Sequence, residues 1–510
     1  MRVDPLFSLV ESMTAPEKRY FRIQVGGAAG GNSSVSLRLF DAINSMVDCS
    51  DARLLAHFSG QPLTANLSAA KQKLRKLILK HLRAFHAEKS IHSELRMRTE
   101  EIELLLQRRL DKQALKLINS TLRKARQLEL HSHTLELLDL KHRLSTENLP
   151  PKAQKEVLAV HQGKSDLLDQ LHQETALNGL YRKSVLLYKQ HKGLKGESLE
   201  EQIVEIEEDP LLREACKTQR GRIYQLNILA SNRFLQRDWD SIMKLGLTAY
   251  EIYAKVPGLA FTDPELYLSS MLHLLNGCLY QGEQTAFLSY LDELKGVIPG
   301  LPGNSFRQQR RIHYLELFYC LNFSNETRGK ELLRTLPKWI EENKAELSAA
   351  TILNFQFNFA VFYFLHAGYS SALPFVNAIL DHAGSDYRRD IHRCAQQLEL
   401  IIHYELGHFD LLEYRLRTYH KAIGKSPLNP PFERFVYQCF YDLLRDKDQE
   451  GRKSTLQLVL GKLEELPSLK GWELPMGYQE MTFWVQGRST DRSIRDVYRG
   501  ALKEDGRLLE

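Results

Sequence analysis

The sequence predicts an all-α protein organised as a stack of helical hairpins. Three observations carry this. Period-2 alternation bounded by turns hardly occurs in the 510 residues, while apolar residues recur at helical spacing almost throughout. From about residue 222 onward, turn signals recur at intervals of roughly 39 to 44 residues, the range of a helix-turn-helix array. Each such pair buries its apolar stripe only against its neighbours.

The elements follow in order. TAPEKRYFRIQV opens a helix, because Thr14 and Glu17 form a capping box with Pro16 in the first turn. The glycine-rich stretch 26–34 reads as a spacer leading to a helix with Leu37, Phe40 and Ile43. In LRKLILKHLRAF, residues Leu74, Leu77, Ile78, Leu82 and Phe85 share one face. QRRLDKQALKLI, at 107–118, is a hairpin turn with Ala114 at a close-packing position. STENLPPKA breaks helices at Pro150 and Pro151. A long helix then places Leu167, Leu168, Leu171, Leu177, Leu180 and Val185 inward, and 192–210 reads as a charged connection. Hairpin turns are expected near Asp238, Gly282, Asn322 to Glu326, Gly368, Gly407 and Asp446. Past residue 465 a loop and an Arg-rich terminal capping helix or pair are expected. This divides the chain into a small N-terminal helical domain (1–90, with a basic helix at 66–87), hairpins and long helices (91–195), the repeat array (196–465) and the capping helices (466–510).

LNILASNRFLQRDWDSIMKLGLTAY resembles one tetratricopeptide repeat. Leu226, Leu229 and Ala230 stand at packing positions of its first helix, Arg237-Asp238-Trp239-Asp240 at the turn, and Ala249 at the small position of the second. In the order of MTAPEKRYF, LRLFDAI and the later hairpins, most of the length is similar to a group of bacterial tetratricopeptide-type proteins. The resemblance implies an α-solenoid of degenerate repeats and brings no activity with it.

Composition excludes several classes. Apolar residues make up 43% and charged residues 26%, ordinary values for a packed chain. No window approaches a membrane span, and Asp4 and Pro5 interrupt any apolar leader, so no membrane association and a cytoplasmic location are expected. Six cysteines are scattered without a C-x-x-C pair, which reads as buried reduced thiols. Of the net charge of +6, residues 1–150 carry +8 and the remainder −2. A basic N-terminal third hints at an acidic partner.

Three local patterns imitate chemical sites. Gly26 to Ser33 fits G-x-x-x-x-G-K-[ST] except that Asn32 replaces the lysine, and a helix rather than a strand precedes it. Asp446, Asp448, Glu450 and Gly451 mimic a calcium loop whose twelfth position is Gln457, a neutral amide. His403, Glu405 and His408 scramble a zinc motif, and five-residue spacing on a helix turns the two rings to different faces. No catalytic residue, cofactor or metal is assigned, and an enzyme is not expected.

Two features point to partners. Lys73, Lys76, Lys80 and Arg83 form a basic stripe with no acid between Lys71 and Arg83. Asn354 and Asn358, four apart in the aromatic run LNFQFNFAVFYF, stand where tetratricopeptide-like arrays use amides to hold a peptide backbone. The expected function is a non-enzymatic protein- or peptide-binding scaffold using a concave groove. The alternative is a nucleic-acid-associated regulator that binds through helix 66–87.

Overall fold

A computed structural model describes residues 4–27, 31–46, 50–86, 90–147, 151–190, 197–301, 305–323, 325–382, 388–424, 431–446, 448–465 and 477–504. Among them all regular structure is helical and no strand occurs. The all-α prediction holds. No described helix is long and apolar enough to cross a membrane. The chain divides into two compact units: Met1–Ala176 with Ala215–Gly221 and Lys255–Pro264, and Leu177–Glu214 with Arg222–Ala254 and Glu265–Glu510.

The first unit begins with α1 (Pro5–Ser12), α2 (Ala15–Gly27), α3 (Gly31–Ser45), α4 (Asp51–His57) and α5 (Leu67–His86). Their starts are capped as the sequence requires. Asp4 accepts from the Leu6 amide at 2.8 Å, and Glu17 accepts from the Thr14 amide at 2.7 Å, completing the capping box. Phe21, Leu39, Phe40, Leu54, Leu74 and Ile78 form one core. The glycine-rich stretch is mostly not a spacer: α2 runs on to Gly27 and α3 starts at Gly31, with 28–30 outside the described residues. Helices already stabilised by burying Phe21, Val25, Leu39 and Phe40 tolerate glycines at their ends, where propensity weighs least.

A second core follows in the same unit from α6 (Ile91–Gln107), α7 (Asp111–Gln127), α8 (His131–Glu147) and the first part of α9 (Pro151–Gln190). Ala114 is fully buried in it beside Leu95, Ile102 and Ile118, as the predicted hairpin requires. Of the long helix's expected inward leucines, Leu168 and Leu171 are exposed, while Leu167, Leu177 and Leu180 are buried.

The second unit takes the end of α9, then α10 (Glu197–Glu207), α11 (Gln219–Gln236) and α12 (Trp239–Lys255); α13 (Leu259–Thr262) belongs to the first unit. The array continues as α14 (Pro264–Tyr280), α15 (Gln284–Val297), α16 (Ser305–Asn322), α17 (Glu326–Glu342), α18 (Ala349–Leu365) and α19 (Tyr369–Leu380). It ends with α20 (Arg389–Glu405), α21 (Phe409–Gly424), α22 (Pro431–Arg445), α23 (Gln449–Glu465), α24 (Tyr478–Ser489) and α25 (Ile494–Glu504). The expected charged connection therefore contains a helix. Ile203 and Ile206 of α10 bury against Leu180, Leu187 and Ile228, an apolar edge that outweighs the surrounding glutamates. From α18 onward each helix packs on the next, and α25 returns to touch α18.

Each of the six expected turns falls at a helix junction. Four of them close in a common way. The residue after the helix is left-handed (Arg237 φ 61°, Gly282 φ 80°, Ala367 φ 54°, Gly407 φ 71°). The next amide reaches back five residues, as in Asp238 N to Arg233 O at 3.0 Å and Gly368 N to Tyr363 O at 2.8 Å. This turn corrects one expectation. His403 and His408 do not diverge: the chain reverses at Gly407 and brings their Nδ1 atoms to 3.3 Å.

Candidate functional site

The basic stripe lies on α5. Leu74 and Ile78 are fully buried, and at about 100° per residue Lys73, Lys76, Lys80 and Arg83 fall on the opposite side of the helix. All four are exposed, and none has a carboxylate partner among the described residues. Lys71 behaves differently. It pairs with Asp4 and, at 2.7 Å, with Asp51; burial works to lower its pKa, and the two carboxylates outweigh that and raise it. A shallow depression of about 350 Å³ runs along the stripe between Gln72 and Lys80.

Asn354 and Asn358 are half-buried and engaged within the chain. Asn354 Oδ1 accepts from Arg388 Nη1 at 2.9 Å, and Asn358 Nδ2 donates to the Asn354 carbonyl at 2.7 Å. The aromatic run around them is core: Phe355, Phe359, Phe362 and Phe364 are almost wholly buried.

A larger concavity lies in the second unit. It is a cleft of about 1090 Å³ framed by the α18–α19, α20–α21 and α24–α25 turns together with the starts of α17 and α23. The left-handed residues Ala367, Gly407 and Asp491 stand on its rim. Its floor is Glu405, whose side chain has no solvent exposure. The carboxylate accepts from Trp484 Nε1 at 2.7 Å and Arg488 Nε at 2.7 Å, and Trp484 is itself buried against Phe440 and Tyr404. At one side Arg495 Nη1 meets Glu326 Oε2 at 2.8 Å. Lys330 foremost, then His366 and Arg495, hold the Glu326 carboxyl below its ordinary value. Lys453 pairs with Asp491 on the rim.

Two cleft guanidiniums lack such a partner. Arg452 donates through Nε to the Asp446 carbonyl at 2.9 Å and lies 4.9 Å from the centre of the Phe409 ring. Arg492 is exposed and donates to the Asp496 carbonyl at 3.4 Å. Neither meets a carboxylate among the described residues. The cleft's serine, Ser493, caps α25, accepting from the Asp496 amide at 3.0 Å and donating to its carboxylate at 2.6 Å. Asp446 and Asp448 are likewise engaged, with Thr455 Oγ1 at 2.6 Å and the Gly451 amide at 2.6 Å.

Sequence reasoning missed this cleft. Its parts lie between Glu326 and Arg495, and no local pattern joins positions so far apart. The available signals were the arginines of RSTDRSIRDVYRG and Arg452 within the calcium-loop mimic, both of which have an ordinary helix-end explanation. No family model, curated protein or solved structure matches the chain.

Proposed function

We propose that the chain is a non-enzymatic, tetratricopeptide-like α-solenoid scaffold of the cytoplasm that binds a protein or peptide partner. One observation carries this reading: turns of successive hairpins converge on a single cleft of about 1090 Å³. Pockets for small molecules span roughly 300–1,000 Å³ and are mostly apolar; this one stands at the top of that range and is lined with ion pairs. Its serine caps a helix, and its buried glutamate is held by an indole and a guanidinium, which leaves structural roles for both. Cys278, Cys320, Cys394 and Cys439 are buried free thiols, in keeping with a reducing compartment; Cys49 lies outside the described residues.

The test is selection of a phage-displayed random peptide library on the wild type and on Gln449→Trp. Gln449 is exposed at the cleft, so the indole blocks the space without changing its charge. Sequences should enrich on the wild type and not on the variant. No enrichment, or enrichment indifferent to the indole, removes the scaffold reading.

A second reading, nucleic-acid binding through α5, is favoured by the exposure of Lys73, Lys76, Lys80 and Arg83 without acidic neighbours on that helix. Their Cα atoms span about 15 Å along the axis at 1.5 Å per residue, a length that can follow several phosphates. No aromatic side chain lies within the stripe, so a duplex backbone suits it better than stacked single-strand bases.

A further inference from the structure

We infer that the cleft of the second unit takes an acidic peptide segment, with aspartate or glutamate side chains seated on Arg452 and Arg492. The inference rests on the scaffold reading and names the chemistry of the partner.

Charge matching within the cleft leads to it. The three carboxylates that line it are each matched by a cation that also lines it: Glu326 by Arg495 (and, from outside the cleft, by Lys330), Glu405 by Arg488, and Asp491 by Lys453. Arg452 and Arg492 line the same space and find only backbone carbonyls. The cleft thus carries two positive charges beyond its own ion pairs. In a concavity walled by protein such an excess focuses the field and attracts the opposite sign.

The form of those charges favours carboxylates spread along a chain over one compact polyanion. Arg452 comes from α23 and Arg492 from the α24–α25 turn, so the two positive charges are presented from separate elements of the wall. Each makes a single hydrogen bond to a carbonyl and lines the cleft, which leaves donors for a planar carboxylate at each position. The Phe409 ring under Arg452 steers that guanidinium and offers apolar surface to the stems of glutamate side chains. The volume of about 1090 Å³ accommodates an extended segment.

The experiment is fluorescence anisotropy with fluorescein-labelled hexaglutamate, using hexaglutamine as the uncharged control. The full chain is compared with Arg452→Gln/Arg492→Gln and with Lys76→Gln/Lys80→Gln. The second variant reports attraction to the α5 stripe in the other unit. Neither pair of side chains is buried, and far-ultraviolet circular dichroism with thermal unfolding verifies that both variants fold. Hexaglutamate should bind the wild type at least about tenfold more tightly than hexaglutamine, and the arginine variant should lose about tenfold or more while the lysine variant keeps its affinity. Equal affinity for the two peptides, an unchanged arginine variant, or a loss that follows the lysine variant overturns the inference. The library selection separates this failure from failure of the scaffold reading. Peptides that enrich on the wild type and not on Gln449→Trp, but show no excess of aspartate and glutamate, leave the scaffold standing and remove the acidic partner.

Discussion

Gly277 of α14 lies so close to Met243 of α12 that a Cβ on the glycine would stand 2.5 Å from the Met243 Cα. The contact is reciprocal: a Cβ on Gly246 of α12 would stand 2.7 Å from the Leu274 Cα. Two helices cross here backbone to backbone, and the obstructing atoms are main-chain atoms that no rotamer change moves. Gly277→Ala and Gly246→Ala should each destabilise by about 1–3 kcal/mol, although alanine is the better helix former. Denaturant midpoints check this, and a variant at or above wild-type stability would show that the crossing is looser than described.

Gly407 supplies the contrast. Its φ is 71° and a Cβ there would meet nothing within 4 Å. Gly407→Ala should therefore cost about 1–2 kcal/mol through backbone strain alone. Gly407→Asn should cost less, because asparagine visits the left-handed region more readily. Thermal unfolding that ranks asparagine below alanine would contradict this account.

The cleft floor predicts coupling. Arg488→Gln removes the cation facing the buried Glu405 carboxylate; since Arg488 is itself half-exposed, the loss should be about 1–3 kcal/mol, below that of a fully buried pair. Glu405→Gln in the same background should cost much less than it does alone. A double-mutant cycle measures the difference, and a coupling energy of zero would mean that the two side chains do not interact.

Acidification should weaken the first unit through a histidine pair. His92 Nδ1 and His133 Nε2 lie 3.2 Å apart. Burial first, then Arg96 (and for His92 also His133 and Arg220), pushes both imidazoles below the ordinary 6.5. A depressed histidine favours the folded state fully above the unfolded value and loses that contribution as pH falls from 6.5 toward the folded value. His81 and His273, the latter lowered to about 4, act in the same direction. Glu399 and Glu480, raised by burial, act in the opposite one as pH climbs above 4.5. Comparing His92→Gln/His133→Gln with the wild type isolates the pair. The variant's unfolding temperature should fall less steeply between pH 7 and pH 5, and an identical slope would remove the pair from the account.

The α5 stripe predicts a salt response. If Lys73, Lys76, Lys80 and Arg83 meet phosphates, the slope of log affinity against log salt on duplex DNA should shrink by about 0.9 for each one neutralised. Replacing all four by glutamine should leave stability within about 0.5 kcal/mol, as for other exposed positions. Electrophoretic mobility shifts at graded salt measure the slope. A slope that the substitutions leave unchanged would identify the stripe as a solvated face.

The helical class, the hairpin turns from Asp238 to Asp446, the Thr14–Glu17 capping box and the buried aromatic run were all determined by the sequence alone. Each depends on residues within one or two turns of each other, so period and capping chemistry expose them. The tertiary structure decided the rest. Most of the left-handed turn residues are not glycine, among them Arg237, Ala367 and Asp491, because the five-residue return bond and the neighbouring helix hold them there. Nothing in their side chains announces it. The meeting of His403 and His408 followed from that turn and not from helical spacing. The close crossing at Gly246 and Gly277 and the burial of Ile203 and Ile206 depended on which helix came to lie opposite. The cleft is the extreme case: Glu326, Glu405, Arg452 and Arg492 share one space through the successive packing of α18 to α25 and the return of α25 to α18. Ion pairing across such separations is set by packing, which a reading of neighbours along the chain does not contain.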